Sequence, residues 1–159
     1  MTEFRISRRA ALGTGIGALV VTAGLPPAAS ARAWAGLRAA NRAIIRKYYG
    51  AWERKDWKLL DTLLADGFTF TSAAPDDHIS KTTFKRRCWD TQSALIERYD
   101  LERVFGAGDE AFVKYLCRTK GGKAFRNVEY LRLKDGKVEA IECYFGGAGF
   151  PSAASASHT

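Results

Sequence analysis

The chain has 159 residues, with 25 Lys and Arg against 17 Asp and Glu and a net charge of +8. The basic residues are scattered, with no block longer than Lys85-Arg86-Arg87, so the dense basic face that nucleic-acid binding requires is missing. Only two histidines are present, His78 and His158, and no C-x-x-C, so the residues offer neither a metal ligand set nor a cofactor motif.

Ser7-Arg8-Arg9-Ala10-Ala11-Leu12-Gly13 stands ahead of an uncharged apolar run that ends near Leu25. The run over 10–25 is 16 residues long and holds four glycines, short of the about 20 apolar residues that a bilayer span takes. Pro26-Pro27 breaks it. Ala29-Ser30-Ala31 then reads as a small-x-small cleavage site, with Ala33-Trp34-Ala35 as a second candidate. A paired arginine before a weakly hydrophobic stretch resembles a bacterial twin-arginine export signal. An ordinary signal peptide or an uncleaved anchor are the alternatives. The expected product is exported, periplasmic or extracellular, and touches the membrane only through residues 1–31. Cleavage after Ala31 leaves 128 residues, with 22 basic against 16 acidic. That is one domain, able to bury roughly two-thirds of its unfolded surface. Gly13-Thr14-Gly15-Ile16-Gly17 belongs to the leader and is no phosphate loop.

Residues 37–52 form the first predicted helix. Leu37, Ile44, Ile45, Tyr48, Tyr49 and Trp52 recur at three- and four-residue steps, and Arg38, Arg42, Arg46 and Lys47 take the wet side. Asp56 is an N-cap for a shorter helix carrying Leu59, Leu60, Leu63 and Leu64. Asp66-Gly67 is a turn, and residues 68–72 alternate as a half-buried strand does. After a loop over 73–78, Ser80 caps a third helix through about Trp89, with Phe84 and Cys88 inward. Four extended runs follow, over 94–105, 111–119, 123–133 and 137–145. Gly106-Ala107-Gly108-Asp109, Gly121-Gly122 and Asp135-Gly136 separate them, the last two as hairpin signals. From Gly146 the composition turns to Gly, Ala and Ser, so residues 147–159 read as a disordered tail. The architecture is α+β, with helices on one face of an antiparallel sheet.

Alternation on the third run puts Asn127, Glu129, Leu131 and Leu133 on one face. The leucines belong in the core, so Glu129 turns inward with them, since a one-residue slip would expose both. A carboxyl there has a raised pKa and donates a hydrogen bond while neutral. The alternative is a surface partner for Arg126 or Arg132. Ile141, Cys143 and Phe145 alternate inward on the last strand, and Phe112 joins them. Beyond Phe112 the second run is ambiguous, with Val113, Tyr115 and Cys117 on one face and Lys114, Leu116 and Arg118 on the other; a bulge would switch the parity. His78, beside Asp76-Asp77, titrates near physiological pH and suits proton transfer; the other reading is a polar loop residue. Cys88, Cys117 and Cys143 allow at most one disulfide, or all three are buried small hydrophobes.

The order of elements, with Tyr48…Asp56…Leu63-Leu64-Ala65-Asp66…Phe70 and the closing Asp135-Gly136-Lys137-Val138…Tyr144-Phe145-Gly146, resembles the nuclear transport factor 2-like superfamily and its SnoaL-like group. The resemblance spans about residues 37–146 and places a domain over 32–146. It implies a cone, a curved antiparallel sheet wrapped around three N-terminal helices and enclosing an apolar pocket. By this resemblance Tyr48, eight residues before Asp56, matches a tyrosine that ketosteroid isomerases turn toward a ligand oxygen; a core tyrosine is the alternative. Glu129 falls at their second acid. Ser72 falls where they carry a general base, and a serine has no useful basicity near neutral pH. The resemblance thus implies a binding domain for a small, largely apolar molecule, with Tyr48 and Glu129 as polar contacts, Ser72 and His78 near the mouth, and Phe112, Ile141, Cys143 and Phe145 as lining. The alternative is a lyase, cyclase or isomerase using His78, steadied by Asp77, on a small hydrophobic carbonyl or hydroxyl substrate. No cofactor is implied. A homodimer sharing Val128, Tyr130 and Tyr144 on the outer sheet face fits either.

Overall fold

The computed structural model describes residues 36–72 and 76–146. The expected export signal over 1–31 and the expected disordered tail over 147–159 lie outside the described residues. Helix α1 (Ala39–Arg54) buries Ile44, Ile45, Tyr48, Tyr49, Ala51 and Trp52 along one face. It starts two residues later than the apolar spacing suggests. Leu37 instead forms a bridge to Gly108, and Asn41 donates to the Gly108 carbonyl and to Asp109 at 2.9 Å each, tying the helix start to a sheet turn. Lys55, in the left-handed conformation at φ 61°, stops α1 and returns its N–H to the Ala51 and Trp52 carbonyls.

The Asp56 side chain accepts from the Leu59 N–H at 2.9 Å and opens α2 (Trp57–Leu63), which buries Leu60 and Leu63. The chain passes directly into β1 (Leu64–Thr71). The Asp66-Gly67 pair does not break the chain there. It lies inside the strand, where pairing with the last strand jumps from Leu64↔Val138 to Thr69↔Ala140, so the turn signal is spent on a bulge. The short β2 (Ile79–Ser80) folds back on β1. Ser80 caps α3 (Lys81–Phe84), which widens into a π-helical turn over Lys85–Trp89 and closes as α4 (Asp90–Gln92). This third helical segment turns Phe84, Cys88 and Trp89 inward.

Four long strands complete the fold: β3 (Ile96–Ala107), β4 (Glu110–Thr119), β5 (Ala124–Lys134) and β6 (Lys137–Phe145). Asp135 and Gly136 both take positive φ, 49° and 76°, the type I′ geometry that matches strand twist. The sheet order is β2-β1-β6-β5-β4-β3. The expectation of a purely antiparallel sheet is corrected here: β1 pairs with β6 in parallel, so the sheet is mixed. Strands joined by tight hairpins must run antiparallel. β1 reaches β6 only through a long crossover, which leaves its direction free.

Register shifts within β3 and between β5 and β6 bend the sheet around α1. The concave face then receives Val113, Tyr115, Cys117, Asn127, Glu129, Leu131, Leu133, Ile141 and Cys143, all buried against the helices. The ladder between β4 and β5 runs unbroken from Glu110↔Arg132 to Arg118↔Ala124. No bulge switches parity there. Phe112 therefore stays on the convex face, 49% exposed, with its ring 5.1 Å from Tyr130. That corrects its expected place in the pocket. Ion pairs cover the rest of that face, among them Arg118–Asp100, Arg126–Glu102 and Arg132–Glu139 at 2.7–2.8 Å.

Candidate functional site

A cavity of about 60 Å³ lies between α1, the third helical segment and the concave sheet. Tyr48 and Trp52 come from α1, Phe70 and Ser72 from β1 and its end, and Phe84, Cys88 and Gln92 from the helix opposite. Tyr99, Tyr115, Asn127, Glu129, Cys143 and Phe145 come from the sheet, and Asp76 from the loop. Two adjacent tyrosines of α1 point inward because the sheet curls around the helix and covers more than one of its faces. A groove of about 370 Å³ along Thr71, Ser72 and residues 142–145 shares Ser72, Cys143 and Phe145 with the cavity, so those three residues form its mouth.

Glu129 is the centre of the polar wall and is 7% exposed. Tyr49 donates to one of its oxygens at 2.7 Å and Tyr115 to the other at 3.0 Å. Asn127 in turn donates to the Tyr115 hydroxyl at 3.3 Å. Burial drives the Glu129 pKa above the ordinary glutamate value, and the bonds from Tyr49 and Tyr115 pull it partly back. The Tyr48, Tyr49, Tyr99 and Tyr115 phenols are all raised well above 10, by burial first. Tyr49, Tyr99 and Tyr115 stack edge to face at 5.1–5.5 Å. The Trp52 indole N–H is buried without a hydrogen bond.

All three cysteines are free and buried. Burial pushes Cys88 and Cys117 up to about 12 and raises Cys143 as well. Cys88 and Cys143 line the cavity as neutral, apolar wall and Cys117 packs in the core, none with the lowered pKa of a reactive thiol.

Tyr48, Glu129, Ser72, Cys143 and Phe145 meet at this cavity. Ile141 is buried beside it in the core and does not line it. His78 and Asp77 lie elsewhere. The His78 side chain is 72% exposed and pairs through Nδ1 with Asp77, itself 80% exposed, at 2.6 Å. The reason is local. His78 takes a left-handed φ of 48° to reverse the chain into β2, and its N–H donates to Thr71 Oγ1. That turn leaves the ring exposed, and His78 is not among the residues that line the cavity. The acid that does reach the wall is Asp76, paired with Arg87 at 2.8 Å and in contact with Ser72 Oγ at 3.3 Å. Sequence reasoning missed Asp76, because loop geometry decides which of two adjacent aspartates turns inward. It missed Tyr49 and Tyr115 as partners of Glu129: helix spacing had placed Tyr49 on the inward face, but the face of the strand carrying Tyr115 was left ambiguous.

A family profile of the SnoaL-like domain matches residues 45–141. The chain belongs to the SnoaL-like family. No curated protein matches it in sequence. Solved structures share the nuclear transport factor 2-like fold. A protein of unknown function from Mesorhizobium loti is 24% identical, with 70% of this chain and 99% of that one covered and a TM-score of 0.57. A putative ketosteroid isomerase from Kribbella flavida is 21% identical, covering 70% and 82%, with a TM-score of 0.58. A hypothetical protein with a ketosteroid isomerase-like fold from Catenulispora acidiphila, solved in complex with trimethylamine, is 21% identical, covering 64% and 84%, with a TM-score of 0.50. At these identities the likeness concerns the fold, on which many chemistries are built.

Proposed function

We propose that this SnoaL-like domain is an exported binding protein for a small, largely apolar molecule with one polar end. The observation that carries the reading is Glu129, a buried carboxyl at the wall of an aromatic-lined cavity, held by Tyr49 and Tyr115. Burying a carboxyl costs free energy unless it is hydrogen-bonded, and a core built only for stability would place a leucine there. Tyr48 and Glu129 meet the polar end, and Phe70, Cys143 and Phe145 contact the apolar part. A ligand larger than the cavity extends past Ser72 into the groove. Export rests on the Arg8-Arg9 leader.

A lyase, cyclase or isomerase working through His78 lacks support, because that ring is outside the cavity. The domain also pairs as a homodimer under this proposal. The support is the aromatic strip of Phe112, Tyr130 and Tyr144 on the convex face, with Phe112 and Tyr144 exposed and Tyr130 partly so.

Native mass spectrometry of the protein purified from its own host tests the binding role. A retained small molecule, lost when Cys143→Phe fills the cavity, is the expected result. A ligand-free mass, together with no response of the Tyr48 and Glu129 NMR signals to small amphiphiles at millimolar concentration, would overturn it.

A further inference from the structure

Resting on that reading, we infer that the polar end of the ligand is a cation, a primary alkylammonium group that sits against Glu129 inside the aromatic wall while its chain leaves through the mouth at Ser72 and Phe145. Four observations converge on it.

The first is the sign of the charge. Among the described residues, the ionisable side chains of the wall other than phenols and thiols are two carboxyls, Glu129 and Asp76, with no Lys, Arg or His. Asp76 already has a counter-ion in Arg87 at 2.8 Å. Glu129 has none, since Tyr49 and Tyr115 meet it as neutral phenols and Cys143 as a neutral thiol. An anionic ligand would meet two acids, and a cation completes the pair.

The second is the surrounding surface. Tyr48, Trp52, Phe70, Tyr99 and Tyr115 wall a space only about 60 Å³ in size. Any occupant is therefore within the about 6 Å over which ring quadrupoles attract a cation.

The third is size, which selects among cations. A cavity of about 150 Å³ takes a six-carbon ring. At that density about 60 Å³ takes two or three heavy atoms, enough for an ammonium nitrogen and its first carbons but not for a trimethylated head. The chain continues into the groove that shares Ser72, Cys143 and Phe145 with the cavity.

The fourth is hydrogen-bonding capacity. An ionised carboxylate offers about four lone-pair sites, and Tyr49 and Tyr115 take one on each oxygen. The remaining sites suit N–H donors, which a quaternary ammonium does not have and a primary one does. Uptake also balances. The cation enters as Glu129 gives its proton to solvent, so the buried net charge does not change.

Isothermal or NMR titration of the purified protein with n-butylammonium and with n-butanol, its neutral isostere, near pH 7 tests the inference. Butylammonium is expected to bind at least tenfold more tightly than butanol. Glu129→Gln, checked for folding by its thermal transition, is expected to remove that preference, bringing the two affinities to within about threefold of each other. Equal or tighter binding of butanol by the unmodified protein would overturn the cation assignment and leave the binding role standing. Binding of neither probe at millimolar concentration would overturn both.

Discussion

Replacing Glu129 by Gln isolates the consequence of burying a carboxyl in an apolar wall. The unfolded chain releases that proton at about pH 4.3. The folded state holds it to higher pH because burial outweighs the bonds from Tyr49 and Tyr115. Between those two values the native state carries one proton more than the unfolded state, so stability must fall as pH rises. At 7% exposure solvent screens little of this. The stability of the unmodified protein minus that of Glu129→Gln therefore declines by up to about 1.4 kcal/mol per pH unit above the unfolded value, then levels off above the folded one. For a domain of this size that is a difference of about 4 °C in Tm per pH unit. The difference, not the absolute stability, is the quantity to follow. Asp100 is lowered by Arg118 and Arg98, and Glu102 by Arg126 and Lys114. Both give the opposite slope, and both are common to the two proteins, so they cancel. A constant penalty for fitting the glutamine amide also drops out of a slope. Urea unfolding followed by tryptophan fluorescence from pH 4 to 8 measures it. A flat difference, or one that rises with pH, would show that the two phenol bonds outweigh burial and that the carboxyl is ionised in the empty site.

Arg8→Lys with Arg9→Lys is expected to leave the precursor in the cytoplasm, read by fractionation of the producing bacterium; normal secretion would remove the twin-arginine assignment. His78→Asn, which tolerates the left-handed turn, is expected to change ligand affinity less than twofold and stability by less than about 0.5 kcal/mol, as titration and urea unfolding report. Tyr144→Lys, on a strip where Tyr144 is 55% exposed, is expected to convert a dimer to a monomer in analytical ultracentrifugation without shifting the thermal transition of the monomer.

The two periodicities made most of the fold legible. The 3.6-residue spacing over Ile44, Ile45, Tyr48 and Trp52 located α1, and Asp56 and Ser80 located the starts of the next two helices through their caps. Strand alternation pinned to Leu131 and Leu133 turned Glu129 inward, as observed. What failed to show was whatever depends on partners distant in sequence. The parallel β1–β6 pair and the bulge at Asp66-Gly67 are set by a strand seventy residues away. Phe112 was misplaced because parity carries over only where a ladder is continuous, and the continuity of β4 with β5 is a tertiary fact. Asp76 rather than His78 reached the wall because the direction of a loop side chain follows from backbone torsions, here the positive φ at His78, which composition does not encode.

The pH dependence of binding separates the two ways in which Glu129 can hold a ligand, and it does so by sign. A neutral ligand that accepts a hydrogen bond needs the protonated carboxyl. Its affinity is greatest below the folded pKa of Glu129 and falls above it. A cation needs the carboxylate, and its affinity rises with pH, up to tenfold per unit while one proton leaves for each cation bound, then levels off once the empty site is itself ionised. The other titratable groups around Glu129 leave this window clear. Tyr48 and Tyr49 from α1, Tyr99 from β3, Tyr115 from β4, Cys143 from β6 and Cys88 from the third helical segment are all held protonated by burial. At the mouth, Asp76 carries its own counter-ion in Arg87. Butylammonium, like a lysine side chain with its ordinary value near 10.4, stays charged throughout pH 5 to 8. Its affinity is expected to rise across that range, with release of up to one proton per site measured by calorimetry in buffers of different ionisation enthalpy. An affinity that falls with rising pH would assign Glu129 the donor's role and place a carbonyl or hydroxyl oxygen where the cation is drawn.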